Sequence, residues 1–111
     1  MASQKREKDT AEYQTMVDCN NIITNSFKAN LVSISEVLHR EGFIPKAVAE
    51  EMGEVSGLSR RDKAAKLRNL ITDKVEQDVV MFYRFCDILK KNEAGDVAEI
   101  LTQQFAELQG T

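Results

Sequence analysis

The 111-residue sequence predicts a single all-α domain, and three observations carry that reading. One proline and five glycines interrupt the chain, while strong helix formers (Ala, Leu, Glu, Lys, Gln, Arg, Met) dominate it. Apolar residues recur at spacings of three and four, the period of one helix face, and show no strand-like alternation. A composition of 42% hydrophobic and 30% charged residues, with a net charge of −3, suits a soluble domain with its own core. It argues against disorder and gives no whole-chain pull toward nucleic acid.

Residues 1–19 read as a polar arm, because "QKREKD" sets five charges in six positions before the weak apolar spacing of Tyr13, Met16 and Val17. The arm either extends the first helix or stays mobile. From there Ile23, Phe27, Leu31, Ile34 and Leu38 lay one apolar stripe on a long helix ending at Gly42. Its middle, "TNSFKANLVSIS", is rich in side chains that compete with the helical ladder, which predicts a kink or break between Asn25 and Asn30. Pro45 suits the first position of a second helix, since its missing N–H is no loss there, with Val48, Met52 and Val55 on the buried edge. Ser59, with Asp62 three residues on, has the form of a capping box that opens a third helix, with Ala64, Leu67, Leu70 and Ile71 facing inward. "TDKVEQD" reads as the next boundary. A fourth helix carries Val79, Phe82, Phe85, Cys86 and Leu89, and ends where Lys90 and Lys91 complement its C-terminal dipole. Asp96 is expected to cap the last helix, with Glu99 in the capping-box position and Val97, Ile100, Leu101, Phe105 and Leu108 inward. Residues 109–111 form a short tail.

Catalytic and metal chemistry find little to stand on. The one histidine, His39, belongs to no ligand motif, and Cys19 and Cys86 lack metal-ligand spacing. Both cysteines read as reduced thiols in or near the core of a cytosolic protein, a disulfide being the minority reading. "GEVSGLSR" has two glycines but no G-K-[ST] after them, so it is no phosphate-cradling loop. Adjacent Glu50 and Glu51 point in different directions on a helix, poor geometry for shared acid–base work. These residues predict a non-enzyme with no metal and no cofactor. The longest apolar run, "VVMFY", is far short of the roughly 20 residues of a membrane span.

Charge is instead segregated into patches. Glu50, Glu51 and Glu54 make the second helix acidic, whereas Arg60, Arg61, Lys63, Lys66 and Arg68 make the third open basic. A basic stretch without interleaved aromatics and close to an acidic patch is weakly suited to nucleic acid, which is not expected as a partner.

The ordered segments "VLHREGFIPKAVAEEM", "SGLSRRDKAAKLRNLI" and "VVMFYRFCDILKKNEAGDVAEIL" resemble a caspase recruitment domain (CARD), a branch of the death-fold superfamily. The resemblance covers residues 20–108 and is nearest to an initiator-caspase prodomain. It rests on L-x-x-x-G-x-I, S-x-R-D-K-A-x-K-L, F-x-x-F-C-x-x-L and D-V-A-E-I-L in succession. It implies an antiparallel six-helix Greek-key bundle with the first helix kinked or split, where the residues alone suggest five helices. It further implies a cytoplasmic module that binds other CARD-containing proteins, and itself, in apoptotic or innate-immune signalling. An acidic surface (Glu50, Glu51, Glu54) would meet a basic one (Lys28, Arg40, Arg84), with Arg60, Arg61 and Lys63 as a second basic surface. A CARD-only decoy and a small helical nucleic-acid binder are the alternatives.

Overall fold

The computed structural model of the chain describes residues 10–54 and 57–110. Among these residues it holds seven helices and no strand: α1 (Ala11–Asp18), α2 (Asn20–Ala29), α3 (Leu31–Arg40), α4 (Lys46–Gly53), α5 (Arg60–Gln77), α6 (Val80–Lys91) and α7 (Gly95–Gly110). The all-α expectation holds. The charged segment "QKREKD", Val55 and Thr111 lie outside the described residues. The chain divides into two compact units, one containing residues 20–54 and 57–71, the other residues 10–19 and 72–110.

In the first unit the expected long helix is two helices, broken at Asn30. Asn30 leaves helical geometry at φ −132° and ψ 40°, and its N–H turns back to the Phe27 carbonyl at 3.2 Å. The apolar stripe continues across the break, so Ile23, Phe27, Leu31, Ile34 and Leu38 are all buried. Buried hydroxyls are answered locally: Thr24 Oγ1 donates to the Asn20 carbonyl at 2.8 Å and Ser35 Oγ to that of Val32 at 2.8 Å. Helix α3 ends through Gly42, whose φ of +85° is the left-handed conformation that only glycine adopts without strain. The chain then returns as α4, which packs against α3. Pro45 sits one position earlier than expected, as the N-cap, and its carbonyl accepts from Val48 and Ala49.

Helix α5 is opened by the expected cap, with the Asp62 N–H donating to Ser59 Oγ at 3.0 Å. It runs six residues past Ile71, through the "TDKVEQ" read as a boundary, because Val75 extends the stripe of Ala64, Leu67 and Ile71 by four and is buried with them.

The second unit packs α7 against both α6 and α1. Helix α6 buries Phe82, Phe85, Cys86, Ile88 and Leu89. Phe82, Tyr83 and Phe105 form a three-ring cluster with centroids 5.3–5.9 Å apart, two of the pairs edge-on. Two details of α7 differ from expectation. Asp96 lies inside the first turn rather than capping it, because the Ala98 N–H donates to the Ala94 carbonyl and starts the helix earlier. Ile100, expected to face inward, is 39% exposed, since a helix of this pitch turns it away from the Val97, Ala98 and Leu101 face.

Replacing Phe85, which is fully buried, by Ala is expected to cost about 3–5 kcal/mol, read as a lowered urea midpoint at unchanged slope.

Candidate interaction surface

The basic opening of α5 serves the fold of its own unit. Arg60 Nε donates to the Lys28 carbonyl in the last turn of α2, at 2.5 Å. The Lys63 ammonium donates to the Glu54 carbonyl, the C-cap of α4. Lys66 Nζ bridges both oxygens of Glu51 at 2.8 and 2.9 Å, and Arg68 Nη1 donates to Thr24 Oγ1 at 2.8 Å. Two of these four cations therefore neutralise helix C-termini, where the last carbonyls lack helical partners and the helix dipole is negative. Lys63 is only 7% exposed, so it belongs to the interior and not to the second basic surface expected of it. Arg60 and Arg61 stay at the surface, the former bound to the α2 end.

The acidic group is divided. Glu50 and Glu54 are exposed, whereas Glu51 is half-buried and held by Lys66. An ion pair this open to solvent contributes at most about 1 kcal/mol, so its effect is mainly to dilute the negative charge of α4. Of the basic group, Arg40 is exposed at the end of α3 and Lys28 half-buried at the end of α2. Arg84 is exposed on α6, in the other unit.

Arg40 and Glu50, expected on opposite surfaces, line one groove between α3 and α4. The groove has a volume of about 310 Å³, and Glu36, His39, Lys46 and Ala49 complete it. His39 Nδ1 lies 3.2 Å from the Ile44 carbonyl, which can only accept, so Nδ1 carries the proton. Two carboxylates (Glu36, Glu50) and two cations (Arg40, Lys46) line this groove, which suits a partner that also presents both signs.

Neither thiol is poised to react. Burial, with the charge of Asp18, raises the pKa of Cys19. Burial pushes Cys86 up to about 11, Asp87 adding to it and Lys90 opposing it. Both are free and stay protonated near neutral pH, where the thiolate is the nucleophile. Among the described residues, no group of three His, Cys, Asp or Glu is arranged to hold a metal ion.

Burial, together with the hydrogen bond to Glu12 and its charge, pushes the Tyr83 phenol up to about 12. The link is the Tyr83 hydroxyl donating to Glu12 Oε2 at 2.5 Å, across 71 residues of sequence, which no local pattern foreshadows.

Two outcomes follow from these bonds. Lys63→Met, which keeps the stem and removes the ammonium, is expected to lower stability by about 1.5–3 kcal/mol, while Arg61→Met stays within about 0.5 kcal/mol. Urea unfolding of the pair of variants reads the difference. In a Tyr13→Phe background, tyrosinate absorbance should titrate near pH 12 in the folded chain, against about 10 for a free phenol. The folded pKa is the raised one, so the Tyr83 contribution to stability is complete below about pH 10 and lost between about 10 and 12. A midpoint near 10 would show the clasp absent in solution.

No described helix is long and apolar enough to cross a membrane. Compared with protein-family models, curated proteins and solved structures, the chain matches none.

Proposed function

We propose that the chain is a CARD-like, non-catalytic interaction module. It recruits or nucleates partners of its own kind in apoptotic or innate-immune signalling, in the cytoplasm. The observation that carries this reading is that one chain exposes charge of both signs: Glu50 on α4 and Glu54 at its C-cap, Arg40 at the end of α3 and Arg84 on α6. A contact between unlike surfaces is heterologous, and its repetition without closure builds an open helical assembly. The ordered motifs between Leu38 and Leu101 support the death-fold assignment, as does the break at Asn30 in the first long helix. A six-helix Greek-key arrangement of residues 20–108 is part of the proposal. The nucleic-acid alternative is weaker, because Arg60, Lys63, Lys66 and Arg68 are engaged within the chain. The decoy alternative shares the same surfaces and differs in what the partner does next.

Light scattering after size exclusion, over a concentration series at two salt levels, tests the reading. Assembly should weaken with salt and fail for Glu50→Lys and for Arg84→Glu, each with unchanged helical content. Mixing the two variants should restore it through the reversed charge pair. A chain monomeric at every concentration overturns self-assembly, and one that assembles indifferently to both substitutions overturns the charged interface.

A further inference from the structure

Helix α1 is the element of its unit least able to stand by itself. Its eight residues fall below the roughly 12–15 at which a helix persists alone in water, so its helicity depends on docking. It buries one large apolar side chain, Met16, together with Thr15, whereas α6 buries five side chains. Its C-cap Cys19 is buried too, Ala11 and Tyr13 are half-buried, and polar bonds hold its two ends. Near the start, Tyr83 of α6 donates to Glu12 Oε2 at 2.5 Å. At the last residue, Gln104 Nε2 of α7 donates to Asp18 Oδ2 at 3.0 Å, while Gln14 donates to Oδ1 at 2.8 Å from within α1. Tyr83 is 45% exposed, so its clasp lies within reach of water, and its ring stands edge-on to Phe105 of α7 at 5.9 Å.

We propose that α1 is a releasable strap. It leaves α6 and α7 in a local opening while those helices stay folded, because a short helix anchored by Met16 and its Cys19 cap buries less than the five side chains of α6, and its clasps to Tyr83 and Gln104 are open to solvent. The face it vacates is defined by what departs. It accepts a short partner helix carrying a carboxylate, an apolar anchor four residues on and a second carboxylate two residues beyond, the arrangement of Glu12, Met16 and Asp18. In the closed form the strap competes with that partner, so a change within α1 that loosens it, leaving the vacated face intact, strengthens binding by the same factor.

Amide hydrogen exchange on the full chain tests the opening. Residues 15–18 should exchange at least about a hundredfold faster than the buried turns of α6 and α7. Glu12→Ala should accelerate them about a further tenfold, the loss of one hydrogen bond to a charged acceptor, with α6 and α7 unchanged. Tyr83→Phe, which removes the same bond from its other end, should give the same acceleration, and the double variant no more. A synthetic peptide of residues 10–18, carrying Glu12, should then bind the Glu12→Ala chain about tenfold more tightly than the wild type, with shifts at Gln104 and Phe105. Exchange of α1 at the rate of α6 and α7 in both chains overturns the strap. Equal binding of the peptide by both chains, or none by either, overturns the competition.

Discussion

The bond from the Lys63 ammonium to the Glu54 carbonyl is the constraint on which the unit of α2, α3, α4 and the start of α5 most depends. A lysine is rarely buried unless its charge is answered, and here the answer is the electron-rich end of a helix. Once Lys63 is fixed inside, the register of α5 follows. Ala64 and Leu67 turn inward beside it, Arg60 reaches the end of α2, and Lys66 lies along α4. Helix ends whose carbonyls would otherwise depend on water are tied to a third element, so hydrophobic burial and polar satisfaction point the same way.

That arrangement also settles what the concentrated basic charge is for. Five cations in nine residues suggest a surface made to attract something. Four of them instead meet acceptors on α2 and α4, two of those acceptors being backbone carbonyls that no inspection of side-chain charge reveals. Such a run is better regarded as an internal fastening with a solvated edge. The exposed charge that remains, Glu50, Glu54, Arg40, Arg61 and Arg84 among it, is of both signs.

Much of the fold was legible because helical periodicity is a local signal. The stripe from Ile23 to Leu38, the Ser59 cap and the buried set on α6 all came from spacings of three and four. The break at Asn30 was legible as competition from short polar side chains, although only the structure places it at one residue. The length of α5 was not, since a polar sequence such as "TDKVEQ" is compatible with an exposed helix as well as with a turn, and one buried valine decides the matter. The interior position of Lys63 was present in the numbering, because it lies four residues before Leu67, on the inward face, although the charge of a lysine points outward by default. The Tyr83–Glu12 link was beyond reach, as nothing in either neighbourhood encodes a contact 71 residues away.

The two backbone carbonyls that receive cations of α5 belong to Lys28 and Glu54, both of them positions with a charge of their own to offer. The scaffold draws on the peptide group at these sites, and every amino acid has one. Side-chain identity at 28 and 54 is thereby uncoupled from the fastening beneath it. Substitutions at 28 and 54 can therefore change the sign of the surface there while the architecture that presents it stays the same.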